Sequence, residues 1–349
     1  MKAMVLRALG ALADRPRPLA LEDVPSPRPG AGEVLLRVAV CGVCHTELDE
    51  IEGRTTPSSL PRIPGHQVVG RVDAVGDNVT TVRIGQRVGV AWIYRACGVC
   101  ALCTSGRENL CAQFEATGRD ADGGYAELMV APAAFVHAIP DGLSDLDAAP
   151  LLCAGAIGYR SLALTGLTDG QPLGLTGFGA SAHLVLAMAR HLYPSTRVYV
   201  FARGDAERAF ACDLGAVWAG HTDDRAPEPL AAIIDTTPVW RPIVRALENL
   251  APGGRLVVNA IRKEDADKDV LQQLDYASHL WREKSIQSVA NVTRLDVRRC
   301  LDLAAALPIH PTVSVYPLDA ANDALVELKH GGNQGAKVLS IATAPPRES

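Results

Sequence analysis

The pattern of apolar and polar positions changes character near residue 150. Before that point, β-branched residues come in short runs broken by glycine: EVLLRVAV at 33–40, HQVVGRVDAVG at 66–76 and GQRVGVAWI at 85–93. Short apolar runs bounded by turn residues read as strands, and their succession predicts an antiparallel, barrel-like domain. From Leu173 onward two periods alternate. PLGLTGFGA is a strand entering a glycine turn, and SAHLVLAMARHLY follows at helical spacing. RVYVFAR is the next strand and DAERAFACDLGA the next helix; then come strand LAAIIDTT, helix WRPIVRALENLAPGG and strand RLVVNAI. Strands alternating with helices predict a parallel sheet with helices on both faces.

Length and charge narrow the class. A chain of 349 residues suits about two domains of roughly 150 residues each. A net charge of −5 gives no general attraction to nucleic acid or anionic membranes. No run of about 18 apolar residues predicts a membrane span, and MKAMVLRALG has neither the apolar core nor the cleavage site of a signal peptide. The expectation is a cytoplasmic protein with no nucleic-acid or membrane partner.

Three constellations carry chemistry. The densest is CGVCALCTSGRENLC, with Cys97, Cys100, Cys103 and Cys111. Four thiolates so close can surround one zinc ion, and a site closed in that way is structural. Two disulfides are the alternative in an oxidising compartment; in the cytosol the spacing favours metal.

The second constellation is the turn Gly174-Leu175-Thr176-Gly177-Phe178-Gly179 between a strand and a helix. Glycines there let backbone approach a pyrophosphate, and the helix N-terminus beyond offers free N–H groups. Thr176 stands where glycine is usual, and an ordinary tight turn is the alternative. At the end of the second strand, nicotinamide sites place an acid for the ribose 2′-hydroxyl or an arginine for the 2′-phosphate. Here that place is Ala202, Arg203 follows, and Asp205 reads as a helix cap. The pattern favours NADP(H) over NAD(H).

The third is dispersed: Cys44 in VCGVCHTELDEIEG, His66 in IPGHQVVG and Cys153 in APLLCAG. Two thiolates and an imidazole would leave a fourth zinc position open for catalysis. Taken singly, His66 could be a satisfied core histidine and Cys153 a small buried apolar residue.

Together these segments resemble the zinc-dependent medium-chain alcohol dehydrogenases. CGVCHTEL, GHQ and LLCAG resemble the catalytic-zinc segments, and CGVCALCTSGRENLC the structural-zinc lobe. GLTGFG resembles the cofactor turn and YPLDAANDALVELKHGG the closing segment. IPGHQVV, GGYAEL and GFGASAH look like a bacterial branch of the family.

The resemblance implies an α/β architecture with a GroES-like, β-barrel-type catalytic domain and a Rossmann doubly wound parallel-sheet domain. The catalytic domain would span 1–153 with the structural-zinc lobe at 95–113, the nucleotide domain 154–290, and a return to the catalytic domain 291–349. It implies two zinc ions per chain, and hydride transfer between an alcohol carbon and nicotinamide at a cleft between the domains. The substrate would be a small alcohol, aldehyde or ketone, and the assembly a homodimer or homotetramer. Thr46 is placed to bond the substrate oxygen and begin a proton relay. His45 either faces the cofactor phosphate or stands in for the usual relay histidine, whose position is Asp49. Gln67 replaces an acid beside the zinc histidine, and Glu47 replaces the aspartate that orients it. Ala180, Ser181, Thr236, Asn259, Ala260, Ala290 and Asn291 join the turn in cofactor contact. Two other classes stay open: a quinone or enone reductase of the same fold without catalytic metal, and a non-enzymatic nucleotide-binding protein.

Overall fold

The computed structural model describes residues 1–179, 181–307, 311–330 and 335–341; Ala180 of the glycine turn and the closing glycines Gly331 and Gly332 lie outside the described residues. The chain divides into two compact units, Met1–Cys153 with Val292–Ser349, and Ala154–Asn291.

In the first unit, β1 (Lys2–Leu6) and β2 (Leu19–Asp23) form an antiparallel pair. The spine is β3 (Glu33–Val43), followed directly by helix α1 (His45–Ile51). It pairs antiparallel with β4 (Gln67–Val75), and β4 pairs with β5 (Arg87–Val90). The register of β3 against β4 shifts at Leu35/Leu36 and at Val38/Val40, which bends the strand. β6 (Ile93–Arg95) and β7 (Glu115–Ala116) form a small ladder beside the short helix α2 (Ala101–Thr104). β8 (Leu128–Pro132) lies on β3, and β9 (Val136–Ala138) on β5. Val34, Leu36, Val38 and Val68 pack with Tyr125, Met129 and Ile51 in the core of this unit.

Helix α3 (Asp145–Pro150) is capped by Ser144 and runs into a wider π-type turn, Leu151–Gly155. Pro150 lacks an N–H and crowds the preceding turn, a local reason for the change of pitch. Helix α4 (Ala156–Thr165) opens the second unit. There β10 (Leu173–Thr176), helix α5 (Ala182–Leu192), β11 (Val198–Phe201), helix α6 (Asp205–Asp213), β12 (Trp218–Gly220), β13 (Leu230–Asp235), helix α7 (Arg241–Asn249), β14 (Leu250–Val258) and β15 (Ser285–Ser288) follow in order. Among the described residues the sheet order is β12-β11-β10-β13-β14-β15, all parallel. β10 and β11 are buried at every position, the pattern of strands covered on both faces. The chain then returns to the first unit with helix α8 (Arg294–Ala306), β16 (Val313–Pro317), helix α9 (Ala321–His330) and β17 (Ala336–Ser340). Its sheet reads β16-β17-β3-β4-β5-β9.

Four local expectations are corrected. The 85–93 run breaks into β5 and β6 across Ala91 and Trp92. The segment LAPGG is not the end of a helix: Pro252 cannot continue one, and Leu250 pairs with Leu230, so β14 begins there. Asp205 is not the cap of α6. Gly204, with extended backbone, takes that place, its N–H donating to Glu207 Oε2 at 3.3 Å, while Asp205 pairs with Arg208. The first unit's sheet is not wholly antiparallel, because β16 and β17 run parallel.

Candidate metal centres and dinucleotide turn

The dispersed donors meet because β3 and β4 are neighbours. Gln67 pairs with Gly42, which sets His66 and Cys44 side by side at the strand ends. Cys44 caps α1: its Sγ accepts the Thr46 N–H at 3.3 Å and its N–H donates to Glu47 Oε2 at 2.8 Å. Gly65 turns the chain into His66 at φ +101°, where a Cβ would sit 2.3 Å from the Tyr125 ring. Cys153 comes from the turn after α3. The donor atoms of Cys44, His66 and Cys153 all lie within 4.8 Å of one another, with Cys44 Sγ 3.6 Å from His66 Nε2. A tetrahedral zinc ion separates sulfur and nitrogen ligands by about 3.5 Å, so the set fits.

The electrostatics agree with a cation there. Glu47 Oε1 lies 2.5 Å from His66 Nδ1, and both side chains are fully buried. That contact holds Nδ1 protonated and turns Nε2 toward Cys44. Burial opposes charge on the His66 ring, but Glu47 and the Cys44 sulfur outweigh it and raise its pKa well above the usual value. The Cys153 thiol, then burial, push the Cys44 thiol up. Negative charge at this spot therefore calls for a positive partner.

The other residues expected here take distinct places. Thr46 is half-buried in the first turn of α1 and His45 is exposed. Asp49 is buried and held by Arg54, Nε to Oδ1 at 2.5 Å. Gln67 is buried, its carboxamide lying where a Cβ on Gly42 would meet it at 2.7 Å. One neighbour was not anticipated. Glu50 is buried, accepts from Trp92 Nε1 at 3.4 Å, and is pushed up to about 8 by burial and then by Glu47.

The four-cysteine lobe is equally compact. Cys97, Cys100, Cys103 and Cys111 present sulfurs within 4.8 Å of one another, with Cys97 and Cys103 at 3.8 Å and Cys100 and Cys111 at 3.9 Å. Backbone N–H groups of Val99 and Cys100 bring the Cys97 thiol down to about 6. The Gln113 N–H points to Cys111 Sγ at 3.3 Å. The contacts at Cys97 favour its thiolate, the form that binds zinc, whereas burial pushes the Cys103 thiol up to about 12.

In the second unit, strand register brings the expected cofactor residues to one edge. Thr176 pairs with Phe201 and Asp235, Asp235 with Val258, and Val258 with Ser288. This is the carboxyl edge, where ligands bind open α/β sheets. Each glycine of the turn has its own reason. A Cβ on Gly174 would come 2.7 Å from Leu230 Cδ1, Gly177 has φ +76°, and the space beside Gly179 is open. Phe178 is buried edge-on against Phe210, so its side chain belongs to the core. Thr236 Oγ1 donates to Thr176 O at 3.0 Å, and Asn259 Nδ2 to Ser181 Oγ at 3.3 Å. Ala202 is buried directly after β11, and Arg203 beside it is exposed. Ala260 follows Asn259 beyond the end of β14. Ala290 and Asn291 follow β15, with Asn291 at φ +58°.

A unit bearing two Cys/His donor sets, in one chain with a parallel sheet and glycine turn, is the architecture of a metal-assisted nicotinamide dehydrogenase. Residues 30–141 match the family described as alcohol dehydrogenase GroES-like domain. The chain is 45% identical over 320 residues to the probable alcohol dehydrogenase AdhA of Mycobacterium tuberculosis (strain CDC 1551 / Oshkosh), covering 90% of each chain. It is 34% identical over 348 residues to an alcohol dehydrogenase of Moraxella sp. (strain TAE123), covering 97% of this chain and 99% of the relative. A solved structure of a cobalt- and zinc-bound thermostable alcohol dehydrogenase from Pyrobaculum aerophilum matches with a TM-score of 0.83 at 25% identity, covering 97% and 99% of the two chains. The chain belongs to the zinc-dependent medium-chain alcohol dehydrogenase family. It is an oxidoreductase of the alcohol dehydrogenase and carbonyl reductase class.

Proposed function

We propose that this protein holds two zinc ions and interconverts a small alcohol with its aldehyde or ketone, using NADP(H) in preference to NAD(H). The observation that carries this reading is the open set of Cys44, His66 and Cys153. Zinc bound there supplies a Lewis acid for the substrate oxygen, and nicotinamide supplies the hydride acceptor or donor. The chain's own residues do the rest. Glu47 holds His66 in one tautomer. Thr46 takes the proton from the substrate hydroxyl and hands it outward along α1, where His45 is exposed. Asp49 is engaged by Arg54, so it is a poor replacement for a relay histidine. Cys97, Cys100, Cys103 and Cys111 hold a structural ion.

Cofactor preference rests on Ala202 and Arg203. No carboxylate occupies the end of β11 to meet a ribose 2′-hydroxyl or repel a 2′-phosphate. Ala202 stands in its place, and the exposed Arg203 follows. Edge strand β15 and its approaches leave Tyr276 65%, Trp281 56% and Ile286 46% exposed, which favours a homo-oligomer. All nine cysteines are free, consistent with a cytoplasmic setting. Among the described residues no helix is long and apolar enough to cross a membrane.

The test is metal analysis of the purified protein beside a panel of primary, secondary and aromatic alcohols and carbonyls with both cofactors. Two zinc ions and alcohol-dependent reduction of NADP support the reading. One zinc with quinone or enone reduction overturns it, as does binding of dinucleotide with no turnover. Arg203→Ala should cost NADP(H) efficiency about 10- to 100-fold, the size of a charge-assisted contact, and NAD(H) efficiency little. Equal losses with both cofactors would remove Arg203 from the 2′-phosphate site.

A further inference from the structure

The second unit contains a buried charged network that the dehydrogenase chemistry does not use. Asp235, the last residue of β13, is fully buried. Its Oδ1 accepts from Thr176 Oγ1 at 2.6 Å and from Thr237 Oγ1 at 2.8 Å. Its Oδ2 pairs with the ammonium of Lys263, which arrives from the segment after β14. The same Nζ donates to Thr237 O at 2.7 Å and to Val239 O at 3.1 Å. All three ammonium hydrogens therefore have acceptors.

A buried ion pair is seldom the cheapest way to stabilise a fold, since apolar residues of similar volume commonly do as well or better. A fully satisfied network does fix one conformation. What this one fixes is the wall of the glycine turn. Thr176 immediately precedes Gly177. Thr236 Oγ1 bonds back to Thr176 O, and a Cβ on Gly177 would meet that same Oγ1 at 2.9 Å. Lys263 straps residues 235–239 down, those residues press against the turn, and the Thr176 hydroxyl ties the turn to them. The replacement of a usual glycine by Thr176 thus has a use: glycine could not reach Asp235. Lys263 also neutralises a carboxylate that would otherwise stand beside a turn built for a pyrophosphate.

We propose that Lys263 and Asp235 are positioning residues for the dinucleotide turn, acting through Thr176 and the Thr236–Thr237 wall. The proposal rests on the nicotinamide reading of that turn. Because the turn would serve the pyrophosphate common to both cofactors, its loss must weaken NAD(H) and NADP(H) alike, unlike a loss at Arg203.

The experiment measures dinucleotide Kd by quenching of protein fluorescence, and steady-state kinetics, for the full-length holoenzyme. Thr176→Val removes one hydroxyl and leaves the ion pair, so it folds even where Lys263→Met does not. The expected result is a rise in Kd of about tenfold for both cofactors, the size of the loss when a buried hydrogen-bond partner is removed. The loss should fall more on cofactor KM than on kcat, and Thr176→Ser, which keeps the hydroxyl, should restore affinity. Lys263→Met should lose more, because it bares the Asp235 carboxylate. Unchanged Kd values in Thr176→Val and Lys263→Met would overturn the proposal, as would a loss confined to NADP(H) or a Thr176→Ser variant as weak as Thr176→Val. If the unaltered protein binds neither dinucleotide, the cofactor reading falls and this proposal with it.

Discussion

At the scale of single residues, the site depends on small differences in reach. Glu47 carries one methylene more than the aspartate its position resembles, and it still comes within 2.5 Å of His66 Nδ1. Asp49 goes the other way: it sits where a relay histidine is usual, and Arg54 claims it. That leaves Thr46 as the first hydroxyl of any relay on α1. Thr46→Val keeps shape but removes the hydroxyl. Turnover at neutral pH should fall by roughly 10²- to 10⁴-fold, the usual contribution of a general acid–base group, with zinc content unaltered. Near-normal turnover in the variant, with hydride transfer shown to limit the rate, would take Thr46 out of the relay. The cysteines, His66 and the glycine turn were legible as residue types and spacings, because ligation and backbone approach demand particular side chains. Glu50 and Lys263 were not, because nothing local distinguishes a buried acid or lysine from a solvated one. Their partners, Trp92 and Asp235, are distant in sequence and meet them only through the fold.

At the scale of elements, the same contrast recurs. β10, β11 and β13 announce themselves as apolar runs because both their faces are covered. Edge strands β12 and β15 do not, since an edge strand carries polar and exposed positions that read as loop. The π-type turn carrying Cys153 is set by Pro150 and tertiary packing, and periodicity does not register it. The cysteine lobe is the reverse case, plain in sequence and poor in apolar contacts. Val99 within it is 84% exposed, so apolar packing does little to order it, and an ion held there would supply folding energy. Cys100→Ser should therefore lower the melting temperature and promote aggregation as well as lowering zinc content; a variant that loses that zinc but melts like the unaltered protein would show the lobe folds by itself. β9 supplies a second test. His137 is buried there, and burial, then Arg298 and Arg294, bring it down to about 4 against a small opposing effect of Glu108. A histidine depressed in the folded state contributes stability above its unfolded value near 6.5, and that contribution is lost as pH falls through 4. The contribution is on the order of 3 kcal/mol. His137→Asn should therefore lose less melting temperature than the unaltered protein between neutral pH and about pH 4. Parallel melting curves for the two proteins across that range would contradict the assignment.

At the scale of the whole molecule, the candidate site residues divide between the two units. Every donor of both cysteine-rich sets lies within Met1–Cys153, and every residue of the glycine turn and its network lies within Ala154–Asn291. Each unit has its own sheet and its own core. Binding energy for the dinucleotide should then be separable from the metal chemistry. Removing the ion at Cys44, His66 and Cys153, by mild chelation or by Cys153→Ser, takes away the Lewis acid without touching the carboxyl edge of the parallel sheet. The expected outcome is loss of turnover with dinucleotide Kd close to that of the intact enzyme, and with the second zinc still counted by metal analysis. Circular dichroism should be unaltered, since an open three-donor site contributes less to folding than the closed four-thiolate one. If stripping that one ion abolished dinucleotide binding as well, the two units would share the cofactor's binding energy, and the division of labour read from their separate sheets would fail.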